Sequence, residues 1–175
     1  MPDTPEQKTE MDAAIDVGRA GKPDLDGILA LLAANQVESG GMLFARFSRA
    51  EVAAMMTDMP LIVVRREGRV RGFLMTATRE MTAHLPLLQA MFAAYPGSAD
   101  AYTYGPICVD AEERGKRLAE IMFAELRRLE PGREGVLFIR RDNAASLRAH
   151  ARMGMREAAE FEFDGLEFVV LCFIG

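Results

Sequence analysis

The pattern of apolar and polar positions along this chain switches repeatedly between a period of two and a period near 3.6, the signatures of half-buried strands and amphipathic helices. Residues 15–20 form a short strand candidate. Pro23 and Asp24 then open a helix whose apolar set, Leu25, Ile28, Leu29 and Leu32, recurs at helical spacing, with Asn35 as its stop. Residues 36–47 hold Gly40 and Gly41 and no clean period, so they read as a loop or a broken helix. Ser48 caps the next helix, Glu51 three residues on completes a capping box, and Pro60 marks its end.

Residues 61–66 and 70–78 are β-rich runs flanking Glu67, Gly68 and Arg69, a hairpin with glycine in the turn. In residues 79–100, Leu88, Met91, Phe92 and Tyr95 lie at i, i+3, i+4 and i+7, which predicts a helical insertion between the third and fourth strands. Residues 101–110 make the fourth strand, 114–129 a helix stopped by Pro131 and Gly132, and 136–140 the fifth strand. Residues 143–153 make a helix capped by Asn143 and closed by Gly154. Residues 157–163 and 166–173 finish as a hairpin about Asp164 and Gly165. The order predicts one α/β domain over residues 13–175, preceded by a tail, residues 1–12, with no periodicity and an expectation of disorder.

Composition narrows the classes. A chain of 175 residues, half of them apolar, can bury a core without disulfide or metal staples. No apolar run approaches the ~18 residues of a membrane span, and the polar, acidic start differs from a signal peptide, so the expectation is a soluble cytoplasmic protein. Cys108 and Cys172 sit in apolar strand-like runs, as buried thiols do, and with two histidines they give no zinc cluster. The twelve methionines read as core filler. A net charge of −5 argues against nucleic acid as a partner. Yet acidic residues crowd the front while Arg114, Lys116, Arg117, Arg140 and Arg141 gather in the last third, a local basic zone that suits a polyphosphate ligand. Arg127, Arg128, Arg148 and Arg152 read as the solvated faces of two helices.

Two segments carry the candidate chemistry. The first runs from Val109 through Arg114, Gly115, Lys116, Arg117 and Leu118 to Ala119, a strand end entering a turn and then an amphipathic helix. Backbone N–H groups at a helix start lack intrahelical partners and carry the positive end of the helix dipole, so such a turn makes a phosphate cradle. Gly115 and Ala119 keep the approach open. The second segment is Asn143-x-x-Ser146-x-x-x-His150-x-x-x-Gly154-Met155, beginning 29 residues after Arg114. Together they resemble the two signature motifs of the GNAT superfamily of acyl-CoA N-acyltransferases, a resemblance that extends from about Ile15 to the C-terminus. The family cradle reads Arg/Gln-x-x-Gly-x-Gly/Ala, and Arg114, Leu118 and Ala119 fit it. Arg117 stands where the family prefers glycine. Its side chain either crowds the phosphates or places a guanidinium on them, and arginine suits bidentate phosphate contact.

The resemblance implies a mixed, twisted sheet of about seven strands with helices on both faces, splayed between the fourth and fifth strands to admit acetyl-CoA or another acyl-CoA. It implies that backbone groups of Cys108 and Val109 bind the pantetheine arm, that Arg114, Gly115, Lys116, Arg117, Leu118 and Ala119 surround the pyrophosphate, and that Asn143 reaches the arm from the other side. Asn143 also reads as a plain helix cap, which leaves its amide N–H groups free. The family position matched by His150 is most often Tyr and sometimes His, the general acid for the CoA thiolate. On the helical wheel Leu147, His150, Ala151 and Gly154 share a face opposite Arg148 and Arg152, so His150 points inward or toward the cleft. An imidazolium with a pKa near ~6.5 can protonate a thiolate whose acid lies near ~8.5. The alternative is a core histidine bonded to backbone.

The family's usual base, four residues before Val109, is replaced by Gly105, and Thr103 is no base. Glu38, Glu80, His84 and Tyr102 stand as candidates that loops bring near, with Glu38, Tyr102 and Thr103 as the expected acceptor contacts. The resemblance implies an N-acetyltransferase acting on a primary amine of a small metabolite, amino acid or antibiotic-like compound, and the His form of the second motif is similar to that of phosphinothricin-type amino-acid acetyltransferases. Protein or peptide N-acetylation and a non-catalytic acyl-CoA-binding regulatory module stay open. The expected partner is a small-molecule amine, with no nucleic acid, no membrane and no metal. The apolar stripe of the insertion calls for cover by the core, a lid position or the second subunit of a homodimer.

Overall fold

The structure is a computed structural model that describes residues 14–41, 43 and 45–175. The tail expected over residues 1–12 lies outside the described residues, as do Met42 and Phe44 of the 36–47 loop. Seven strands form one sheet, β1 (Ile15–Arg19), β2 (Ile62–Arg66), β3 (Arg69–Ala77), β4 (Tyr102–Val109), β5 (Glu134–Arg140), β6 (Arg156–Phe163) and β7 (Leu166–Ile174). Their order is β1-β2-β3-β4-β5-β7-β6, antiparallel throughout except for the parallel pair β4–β5, so the sheet is mixed. Two-residue turns close both hairpins. Glu67 and Gly68 have φ of 53° and 73°, and Asp164 and Gly165 have 53° and 76°, the paired left-handed conformations that match strand twist and that glycine makes cheap.

The α-helices among the described residues are α1 (Leu25–Ala34), α2 (Arg49–Asp58), α3 (Arg79–Thr82), α4 (Pro86–Ala94), α5 (Leu118–Leu129) and α6 (Ala144–Arg152). The capping box of α2 forms as its sequence predicts, the Glu51 N–H donating to Ser48 Oγ at 3.2 Å and the Ser48 N–H to Glu51 Oε2 at 2.7 Å. Helix α6 ends in a Schellman motif at Gly154, φ 87°, with the Met155 N–H on the His150 carbonyl and the Gly154 N–H on that of Ala151.

The insertion holds its expected helix as α4, begun at Pro86, with the one-turn helix α3 before it. One expectation needs correction. The helix expected over 114–129 begins only at Leu118, since Arg114 is extended and Gly115 and Arg117 are left-handed, φ 78° and 64°.

Helices cover both faces. On one, Leu118, Met122, Phe123 and Leu126 of α5 and Leu147 of α6 pack on Ile62, Leu74, Tyr104, Leu137 and Leu171. On the other, Ile28 and Leu32 of α1 and Val52 of α2 pack on Val63, Phe73, Met75 and Cys108. Beside them Leu88, Met91, Phe92 and Tyr95 lie against Val136, Val170, Cys172 and Phe161, so the stripe of the insertion is covered by its own sheet. Buried Glu134 pins that insertion, accepting from Tyr95 Oη at 2.7 Å and from the N–H and hydroxyl of Ser98 at 2.6 Å each.

Candidate functional site

Strands β4 and β5 register at only two pairs, Tyr102 with Gly135 and Thr103 with Val136. Beyond that vertex β4 stays paired with β3 out to Val109, and β5 with β7 out to Arg140. The facing edges of β4 and β5 therefore diverge, and among the described residues the backbone polar groups of Ile107 and Val109 on that side have no strand to bond, whereas the Asp110 N–H on the Arg71 carbonyl sets the alternation by which Cys108, expected on the open edge, turns its own N–H and C=O to Phe73 of β3. The divergence starts at a bulge. Leu74 pairs with Ile107 and Thr76 with Tyr104, so Gly105 and Pro106, joined by a cis peptide bond, together stand opposite the single residue Met75, one extra residue on β4. Gly105 has φ 113° with nothing within 4 Å of where a Cβ would stand, so the backbone, not crowding, demands glycine there. A carboxylate-bearing residue at this position would have to adopt that positive φ.

The open edge runs into the cradle. The N-cap residue of α5 is Arg117, which makes no side-chain cap, and among the described residues the N–H groups of Leu118, Ala119 and Glu120 begin the helix without a capping acceptor. Gly115 and Arg117 turn the chain so that this end faces out. Arg114, Lys116 and Arg117 stand around it, all exposed; the Arg117 side chain is 80% exposed with Glu120 at 3.9 Å. The turn is held from beneath by Glu113, a buried residue with Arg66 Nε at 3.0 Å, Arg66 Nη2 at 3.2 Å and Lys116 Nζ at 3.4 Å. Burial disfavours the Glu113 charge, but the Arg66 guanidinium prevails and keeps the carboxyl below its ordinary range. Beside the cradle, Gly27, Ala30 and Ala34 of α1 face Asp110 and Arg114 across a half-open groove of about 330 Å³, and Arg114 Nη2 donates to Asn35 Oδ1 at 3.4 Å. Burial pushes the Cys108 thiol up to about 12.

Asn143 takes up the capping role, its Oδ1 accepting from the Ser146 N–H at 3.2 Å. Its amide group is bonded to nothing else among the described residues. His150 is 5% exposed at the vertex side of α6, with Nδ1 at 2.8 Å from the Ser146 carbonyl and Nε2 at 3.2 Å from Tyr104 Oη. A carbonyl only accepts, so Nδ1 carries the proton and, in the neutral ring, Nε2 accepts from the Tyr104 hydroxyl. Burial pushes the ring below the ordinary histidine range, against the opposite pull of the Ser146 carbonyl. The imidazolium expected from the unperturbed value is thus disfavoured, and both ring nitrogens are engaged.

The expected acceptor contacts divide. Tyr102 is fully buried against Phe173, and Thr103 is buried with its hydroxyl donating to the Ala77 carbonyl at 3.1 Å, so neither reaches a surface an acceptor can touch. Strand alternation places both in the layers beneath the helices. Glu38 lies exposed on a short turn and pairs with Arg46. Glu80 and His84 are exposed on the insertion. Sequence reasoning missed Glu113, Asn35 and Tyr104, whose partners are distant in sequence. Among the described residues there is no cluster of potential metal ligands, and no helix is long and apolar enough to cross a membrane.

No family model matches the sequence, and no curated protein matches it. Solved structures do match in fold. A GNAT-family acetyltransferase from Streptococcus agalactiae aligns with a TM-score of 0.70 at 15% identity, covering 92% of this chain and 95% of its own. The ribosomal-protein-S18-alanine N-acetyltransferase from Escherichia coli aligns with a TM-score of 0.64 at 13% identity, covering 92% and 94%. A protein described as an acetyltransferase from Salmonella typhimurium, solved with its cofactor acetyl-CoA, aligns with a TM-score of 0.64 at 19% identity, covering 92% and 94%. The chain has the GNAT fold.

Proposed function

We propose that this chain is an acyl-CoA N-acyltransferase that moves an acetyl group from acetyl-CoA to a primary amine of a small metabolite, amino acid or antibiotic-like compound. The observation that carries the reading is the continuity of the open β4 edge, residues 105–109, with the uncapped start of α5. An unpaired strand edge can bond an extended amide-bearing arm as a further strand would, and a cationic helix start can hold its pyrophosphate. Val109 and Ile107 supply the edge. Arg114, Gly115, Lys116, Arg117, Leu118 and Ala119 supply the cradle, and the Asn143 amide lies at the start of α6 for the arm's other side. In acyl transfer the amine nitrogen attacks the thioester carbon, the C–S bond breaks, the nitrogen gives up one proton and the thiolate takes one. His150, bonded to Tyr104 at the vertex where the edge begins, is the residue to which we assign the transfer of that proton. A structural neighbour that acetylates a ribosomal protein keeps peptide amines among the acceptors.

Gly105 favours a second reading, an acyl-CoA-binding module without turnover, because a base cannot occupy that position without strain. One experiment separates the two. Calorimetric titration with acetyl-CoA is paired with a free-thiol release assay over a panel of amino acids, polyamines, aminoglycosides and N-terminal peptides. Binding with amine-dependent thiol release supports the enzyme, binding without release supports the module, and no binding sinks both.

A further inference from the structure

The hydrogen bond between Tyr104 and His150 joins parts of the molecule that the sheet leaves apart. Tyr104 is the first residue of β4 past the last registered pair with β5, and it directly precedes the Gly105 bulge. His150 belongs to α6, which follows β5 and so comes from the other side of the splay. Their rings meet edge to face with centroids 5.6 Å apart and planes at 84°, and Tyr104 is fixed in turn by Phe123 and Phe173, at 6.1 and 5.6 Å. On its own helix His150 has one firm anchor, the Ser146 carbonyl on Nδ1, with Ser146 Oγ at 3.3 Å. One bond of this local kind leaves an imidazole free to tip about its own axis. Tyr104 supplies the second anchor.

We infer that Tyr104 is a positioning residue for His150: its hydroxyl donates to Nε2, fixes the imidazole at both nitrogens, and holds it across the vertex where β4 and β5 part. Nδ1–H is committed to the Ser146 carbonyl and Nε2 accepts from the Tyr104 hydroxyl, so the neutral ring is held at both nitrogens with its Nε2 side turned to the vertex. Removing the hydroxyl leaves a buried ring nitrogen with no donor and an imidazole held at one end. The kinetic consequence rests on the acyl-transfer reading.

The test uses the full chain with ¹⁵N-labelled histidine, and His84→Gln assigns the two ring systems. In the wild type at neutral pH, His150 should be neutral, protonated at Nδ1, with the Nε2 resonance displaced toward the hydrogen-bonded position. In Tyr104→Phe, checked for folding by circular dichroism, Nε2 should move to the unbonded imine position. On an amine substrate, kcat should fall about tenfold or more while KM for acetyl-CoA stays within about twofold, the pattern of a group that acts in the transition state. A wild-type ring protonated at Nε2 would overturn the inference without any variant. So would a Tyr104→Phe protein whose ring spectrum and kcat both match the wild type. If no amine turns over, the acyl-transfer reading fails, and the ring spectra decide the role of Tyr104 by themselves.

Discussion

Arg117→Gly should stabilise the protein and weaken its hold on CoA at the same time. Arg117 is the N-cap of α5 at φ 64° and ψ 25°, a conformation that costs an L-residue roughly 1–2 kcal/mol and glycine nothing. Against that gain stand the extra freedom of glycine in the unfolded chain, about 0.5–1 kcal/mol, and a solvent-screened pair with Glu120 of a few tenths at most. The net is a gain of about 0.5 kcal/mol, a rise of about 1–2 °C in Tm for a domain of this size. Arg117→Ala is the control, because alanine keeps the left-handed strain while losing the charge, and should show no gain. The two variants should behave alike toward CoA. If the guanidinium meets a phosphate, an exposed charge-assisted contact of about 1.4 kcal/mol is lost in both, a tenfold weaker Kd with a shallower salt dependence. Urea and thermal unfolding of the free protein and calorimetry with CoA at two salt concentrations read the two effects separately. Equal stability of the Gly and Ala variants would refute the strain argument, and unchanged Kd in both would show that the guanidinium only decorates the turn.

His150→Phe should lower turnover about 10²-fold or more with little change in acetyl-CoA affinity, whereas near wild-type kcat on a verified acceptor would make the histidine a packing residue. Glu134→Ala removes three hydrogen bonds that pin the insertion and should cost about 2–3 kcal/mol, a Tm loss of roughly 4–12 °C, with CoA titration unchanged; a parallel loss of CoA binding would contradict the separation of insertion and cradle. Gly105→Ala finds open space but a forbidden φ, so it should destabilise by about 1–3 kcal/mol, and a neutral result would show that the bulge relaxes. Asp24, bonded by Arg65, and Glu113 and Glu134, whose bonds outweigh burial, all have carboxyl groups held below their unfolded values. Their stabilisation should be complete above about pH 5 and fade as pH falls through the unfolded carboxyl range near ~4 and below, so a urea midpoint unchanged from pH 6 to pH 3 would refute it.

What the sequence made legible is what local chemistry determines. Ser48 with Glu51 and Asn143 with Ser146 are complete within four residues, and the two hairpin turns within two, so their partners could be named without a fold. The start of α5 was misplaced by four residues because the conformation of Arg117 is not a local preference. It is imposed by a turn clamped to Arg66, which lies 47 residues from Glu113. Gly105 was visible as a missing carboxylate but not as a bulge, since the bulge exists only in the register between β3 and β4. His150 was correctly faced by its helical wheel, yet its protonation state depends on Tyr104, 46 residues away.

These non-local departures fall on one line. Tyr104, the Gly105 bulge, the open edge to Val109 and the left-handed turn at Gly115 and Arg117 follow one another along β4 and out of its end. Places where local rules fail together are where a fold gives up stability for something else. From Tyr104 to Val109 the strand advances about 17 Å at ~3.3 Å per residue, and the cradle lies beyond it. A ligand that engages both the vertex and the cradle would have to be an extended chain of at least that length, which is the property that the proposed acyl-CoA shares with these two ends of β4.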